Sequence, residues 1–212
     1  MRKTSRPYVS GIRSEAADAT RARVLRASKT LFAGRGIDRV TIEEIAKKAK
    51  VSASTVYARY KSKEGILREL MKSVLFGQRF QTAIKRLKGE TDSIRLIALT
   101  ANVARAIYEA ESSEIGLIRG VSAFSPALSK LEREFEELRF DMQKKRVELL
   151  FKQRKQTKGL TLEEARRILW MYTSREVYRL LVHEAGWTPA RYEEWLSDTL
   201  LRALADPNVR RS

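Results

Sequence analysis

Residues 41–60, TIEEIAKKAKVSASTVYARY, decide how this chain folds. Thr41 followed three residues later by Glu44 is a capping box, in which the hydroxyl takes one orphan amide of a new helix while the carboxylate reaches back to another. Ile42, Ile45, Ala46 and Ala49 then recur at the three- and four-residue spacings of one buried stripe. That helix can only be short, because Lys50 and Val51 lead at once to Ser52, a good N-cap for a further helix through Ala58 or Tyr60. A short helix, a tight turn holding one apolar residue and a second short helix make the helix-turn-helix layout. The turn favours Gly at its first position, so Lys50 is expected at positive φ, at a cost on the order of 1 kcal/mol.

Working outward, the pattern is helical on both sides. From Thr20, Val24, Ala27, Leu31 and Phe32 keep helical spacing up to Gly36, which suits the left-handed position after a helix, with Ile37 as the apolar contact of a Schellman motif. Ser62 caps a fourth helix that continues through Ile66, Leu67, Leu70 and Leu75. Residues 1–19 lack periodicity, and with Arg2, Lys3, Arg6 and Arg13 among Ser, Thr, Pro and Gly they read as a flexible basic arm. The expected division is therefore an arm at 1–19, a three-helix DNA-binding domain at 20–66 and a helical body at 67–212.

Charge supports the same partition. The chain carries 43 Lys and Arg against 26 Asp and Glu, a formal net charge of +17, which points to a polyanionic partner. Residues 1–63 hold 16 basic and 5 acidic side chains, leaving 27 and 21 for the remainder, so the excess is concentrated at the N-terminal module. The longest stretch without Asp, Glu, Lys or Arg, Gly120 to Ser129, is 10 residues, about half of what a spanning helix needs. No membrane partner is expected. The absence of Cys and of an apolar leader fits the cytoplasm, in association with the nucleoid.

If Val51 and Val56 anchor the third helix inward, a 100° step per residue turns Ala53, Ser54, Tyr57 and Ala58 outward, with Ser52 at the N-terminus. Small and hydrogen-bonding side chains let such a helix enter the major groove of double-stranded DNA. Arg59, Lys61 and Lys63 supply cations at the rim, where backbone phosphates run. Tyr60 reads as a core aromatic and Tyr57 as a candidate phosphate or base contact.

The segments Arg23-Val24-Leu25, Leu31 to Gly36, Thr41 to Ala49, Val51-Ser52, Thr55-Val56-Tyr57 and Tyr60 to Glu64 together resemble the DNA-binding domain of the tetracycline-repressor (TetR) family of transcriptional regulators, over about residues 20–70. The resemblance implies DNA contacts from Thr41, Ser52, Ala53, Ser54, Tyr57, Arg59 and Lys63, and a buried slot for Tyr60. Lys50 departs from the family's common Gly, and Ala53-Ser54 from its frequent Lys-Gly pair. The resemblance also implies a repressor that leaves its operator when a small-molecule effector binds the body.

Beyond residue 75 the periodicity stays helical, so the fold class is all-α. Helix starts are flagged by Thr91-Asp92-Ser93, Ser125-Pro126, Thr161-Leu162-Glu163-Glu164 and Thr188-Pro189. The run Ile168 to Tyr172 is apolar through more than a full turn, which calls for cover on several sides and predicts a homodimer through helices near 161–185 and 188–205. Leu169, Tyr172, Val177 and Leu181 on the first and Tyr192, Trp195, Leu196 and Leu200 on the second are the candidate interface. Tyr108, Phe124 and Trp170 are candidate effector contacts, although aromatics at helical spacing are more often core. Few spare cations among the body's apolar residues favour an apolar or aromatic effector over an anionic one. No catalytic constellation, metal site or cofactor is expected, since His183 is the only His and no glycine-rich phosphate loop follows a strand. An architectural or nonspecific DNA-coating protein is the competing reading, but it leaves the nearly balanced body without a task.

Overall fold

The computed structural model describes residues 8–209, with side chains from residue 15. The described residues are helical throughout apart from loops and one isolated antiparallel bridge, Gln156 to Ala205. They divide into two compact units, the residues up to Lys72 with Ile115–Leu131, and Ser73–Glu114 with Glu132 onward.

In the first unit, α1 (Tyr8–Arg35) begins well before Thr20. The expected arm is thus helical from Tyr8, and residues 1–7, including Arg2, Lys3 and Arg6, lie outside the described residues. The reason is local: Glu15, Ala16, Ala17 and Ala19 are strong helix formers on an exposed stretch, so propensity extends the helix where no buried face marks it. At the other end the Gly36 amide donates to the Phe32 carbonyl at 2.9 Å with φ +79°, the single-bond left-handed cap rather than the expected Schellman motif. The Ile37 amide, which that motif would return to α1, donates instead to Ser122 Oγ at 3.1 Å.

α2 (Ile42–Ala49), α3 (Ala53–Tyr60) and α4 (Lys63–Leu75) follow. Their apolar stripes are buried as the periodicity requires: Ile42, Ile45, Ala46 and Ala49 on α2, Val56 and Tyr60 on α3, Ile66, Leu67, Leu70 and Met71 on α4. α7 (Gly116–Val121) packs on α1, and Ser125 Oγ donates to Asp38 Oδ1 at 3.1 Å. Residues 115–131, which the sequence assigns to the body, therefore complete the core of the N-terminal unit.

The second unit contains α5 (Gln78–Lys85), α6 (Ser93–Glu114), most of α8 (Pro126–Lys152), α9 (Leu162–Tyr172), α10 (Arg175–Tyr178) and α11 (Pro189–Leu204). α6 and α8 run antiparallel: Ser93 pairs with Gln153 at 2.7 Å and Thr100 with Arg146 at 3.3 Å. One core joins Ile97, Ala101, Ala104 and Tyr108 of α6 to Val147 and Leu150 of α8, Leu169 of α9 and Tyr192, Leu196 and Leu200 of α11.

The single helix expected over 161–185 is broken. Thr173 turns its hydroxyl back to the Leu169 carbonyl at 2.7 Å, Ser174 caps α10 in an extended conformation, and Arg179–Glu184 continues as a π-helix closed by Ala185 donating to Leu180. Adjacent hydroxyl residues offer the backbone partners outside the helix ladder, which is how they interrupt it.

Candidate nucleic-acid interface and effector residues

The turn between α2 and α3 is a Schellman motif made without glycine. Lys50 sits at φ 55°, its amide donates to the Lys47 carbonyl at 3.2 Å, and the Val51 amide donates to the Ala46 carbonyl at 3.1 Å. α2 is fixed at its start by the capping box, with the Thr41 amide donating to Glu44 Oε2 at 2.8 Å and the Glu44 amide to Thr41 Oγ1 at 3.2 Å. Arg35 meets the same carboxylate at 2.9 Å. Arg35 and the Thr41 bonds together hold the Glu44 carboxyl below its ordinary range.

On α3, Ser52 accepts the Thr55 amide at 3.1 Å and forms a hydroxyl cluster with Ser54 at 2.9 Å and Thr55 at 2.7 Å. Ser52, Ser54, Tyr57, Ala58 and Arg59 are exposed, Ala53 is half-buried, and Thr41 stands exposed at the start of α2. Tyr57, 45% exposed, makes only a long contact of 3.4 Å to Glu43. Its phenol is therefore available for a phosphate or a base edge. Tyr60 is buried as expected, and burial raises its phenol above the usual value. The exposed face of α3 is thus hydroxyl-rich and flanked by Arg59 and Lys61.

Lys63 differs from its neighbours. Its ammonium donates to the Ile37 carbonyl at 3.1 Å and the Asp38 carbonyl at 3.2 Å, so it ties the start of α4 to the loop after α1. Two features escaped the sequence reading. Thr55 joins the hydroxyl cluster, which its place three residues after an N-cap Ser could have signalled. Gly65 is required because a Cβ there would lie 1.9 Å from the Tyr60 carbonyl oxygen, so α4 leaves α3 in van der Waals contact with its last turn. Lys47, Lys48 and Lys50 also stand exposed at the α2 end of the turn.

Of the candidate effector residues, Tyr108 is buried and donates to the Thr173 carbonyl at 2.8 Å, and burial raises its phenol. Trp170 is half-buried, with Arg139 stacked 5.3 Å from its ring and its indole nitrogen buried without a partner. Phe124 does not join them: it belongs to the first unit and is 99% exposed. Arg139 also donates to the Trp170 carbonyl at 2.8 Å and Thr173 Oγ1 at 2.7 Å, and Gln143 to Thr173 Oγ1 at 2.8 Å, so the break after α9 is where α6 and α8 meet it.

The expected interface residues separate into two groups. Leu169, Tyr192, Leu196 and Leu200 are fully buried within the chain itself, because α11 packs along α6 and α9. They cannot face a partner. Tyr172, Val177, Leu181 and Trp195 remain partly exposed, next to the more exposed Met171 and Leu180. A broad apolar stripe has a wall toward its own core and a wall toward solvent, and sequence spacing does not tell them apart.

Among the described residues no helix is long and apolar enough to cross a membrane, and no group of His, Asp and Glu is arranged to hold a metal ion. Residues 24–70 match the family described as bacterial regulatory proteins, tetR family. No curated protein matches the chain at a significant level. Among solved structures, the chain is similar to NalD of Pseudomonas aeruginosa, described as the secondary repressor of the MexAB-OprM multidrug efflux pump, at 21% identity and TM-score 0.69 over 89% of this chain and 98% of that one. It is also similar to SmeT, solved as a complex with triclosan, at 17% identity and TM-score 0.66 over 90% and 94% of the two chains. The regulator FadR of Bacillus subtilis, solved with stearoyl-CoA, shows 17% identity and TM-score 0.64 over 84% and 96%. The matched segment lies on α1 to α4 and an all-helical body follows it, so the chain carries a tetR-family DNA-binding domain at residues 24–70 within an all-helical fold.

Proposed function

We propose that the protein is a homodimeric repressor that reads a pseudo-palindromic operator with α3 and leaves it when a small molecule binds the helical body. The observation that carries this reading is the exposed face of α3, where Ser52, Ser54 and Tyr57 present hydrogen-bonding groups and Arg59 a cation, on a helix held by the glycine-free turn at Lys50. Two such helices related by a two-fold axis meet successive major grooves about 34 Å apart. Thr41 and Lys61 take phosphates at the edge of the same surface. The solvent-facing group Met171, Tyr172, Leu180 and Trp195 supplies the apolar contact between copies. NalD is described as a repressor, and SmeT and FadR were solved with small molecules, which supports effector control in a chain of the same fold.

Selection of bound duplexes from a random pool, followed by titration of the selected site at increasing salt, tests the reading. A preferred two-fold symmetric site and a steep fall of affinity with salt are expected, because several phosphate contacts per subunit release counterions. Arg59→Ala should weaken all duplexes alike, whereas Ser54→Ala or Tyr57→Phe should change the preference among them. Binding without any preferred sequence would leave the architectural reading in its place. A monomer in sedimentation equilibrium at micromolar concentration would remove the two-fold operator.

A further inference from the structure

The body holds a buried cation that meets no carboxylate among the described residues. Arg146 on α8 is 9% exposed, and its one hydrogen bond to a described residue goes from Nη1 to Thr100 Oγ1 at 3.3 Å. The other arginines inside this unit are neutralised: Arg105 by Glu109 and Glu193, Arg139 by Glu136, Arg166 by Glu163, Arg175 by Glu111 and Glu176. Burial alone pulls the Arg146 guanidinium down to about 10, which leaves it protonated at neutral pH. An uncompensated buried charge is costly, and proteins keep one where something pairs with it.

Its surroundings define what would pair. One turn earlier on α8, Gln143 Oε1 is buried without a partner, so the polar row along α8 is not closed on itself. Opposite, α6 presents small side chains, Thr100, Ala101 and Ala104, and the flanking core residues Ile97, Val147 and Leu150 are apolar. A single planar guanidinium matches one carboxylate through two parallel hydrogen bonds. Apolar walls around a lone charge select a ligand with one anionic end and a hydrocarbon or aromatic remainder.

We infer that Arg146 seats the carboxylate of the effector, and that the effector class is a small amphiphilic monocarboxylate. This rests on the reading of the body as the effector-binding unit. It replaces the expectation of an apolar or aromatic effector in preference to an anionic one, which rested on there being few spare cations among the body's apolar residues.

The test uses the full-length protein with octanoate and decanoate as probes and octanamide and decanamide as their neutral matches. Thermal melting of the unaltered chain should rise with the carboxylates and not with the amides. In Arg146→Met, calorimetric affinity for the carboxylates should fall by about ten- to a hundredfold, the worth of hydrogen bonds to a charged group. Arg146→Lys, which keeps the charge without the fork, should fall between the two. Without ligand, Arg146→Met should melt no lower than the parent, since it removes an unpaired buried charge. Equal shifts from acids and amides, no shift from any carboxylate, a preference retained in Arg146→Met, or a ligand-free Arg146→Met that melts well below the parent would each overturn the inference. Gel shifts on the selected operator keep it apart from the regulatory reading: Arg146→Met should still bind DNA but resist release by decanoate. If neither protein prefers any duplex, the regulatory reading fails while the melting result stands.

Discussion

At the scale of single residues, the DNA-binding unit depends on two backbone positions that oppose each other in kind. Gly65 has no room for a side chain, since its Cβ would enter the Tyr60 carbonyl. Gly65→Ala should therefore cost about 1–3 kcal/mol, as forced overpacking does, read as a fall in the urea midpoint. Lys50 is the converse, a side chain at φ 55° where glycine is unstrained. Lys50→Gly should raise stability by about 0.5–1 kcal/mol, the left-handed penalty less the entropy glycine adds to the unfolded chain. Lys50 was legible from sequence because a Schellman turn fixes the conformation of its central residue whatever occupies it. Gly65 was not, because the close approach involves a carbonyl five residues away whose direction is set by the Ser62 amide, which donates to it at 2.7 Å.

At the scale of elements, hydroxyl and carboxylate pairs set where helices begin. The boxes at Thr41–Glu44 and Thr161–Glu164 both formed as their spacing requires, the second with the Thr161 amide donating to Glu164 Oε2 at 2.9 Å. Thr161→Ala should cost about 1 kcal/mol at neutral pH. The Thr161 hydroxyl and amide hold the Glu164 carboxyl below its ordinary 4.5, so the box contributes fully above that value and loses its contribution as pH falls through the depressed folded one. The gap in melting temperature between Thr161→Ala and the parent should accordingly narrow as pH is lowered from 5 toward 3. Starts were thus readable where a short local pattern encodes them. The break at Thr173–Ser174 was not, because the apolar run Ile168 to Tyr172 continues helical spacing up to it, while the partners that stabilise the break, Tyr108, Arg139 and Gln143, come from α6 and α8.

At the scale of the whole molecule, fold class and the helix-turn-helix elements followed from periodicity and capping, whereas the inward and outward walls of α11 needed the packed bundle to be told apart. Leu196 and Trp195 are adjacent on one stripe, yet one is fully buried and the other partly exposed. Residues Ile115–Leu131 carry a further consequence. The Ile37 amide and the Asp38 carboxylate find their partners on Ser122 and Ser125, far along the chain. A fragment ending at Lys72 should lose protection from hydrogen exchange at Ile37 and melt below the same unit in the intact chain. Co-expression with a peptide spanning 115–131 should restore part of the loss. The N-terminal unit is in this sense not a detachable cassette: a chimera that grafts residues 1–72 onto a foreign body would inherit an unfinished lining unless the recipient supplies its own pair of hydroxyls at the same spot.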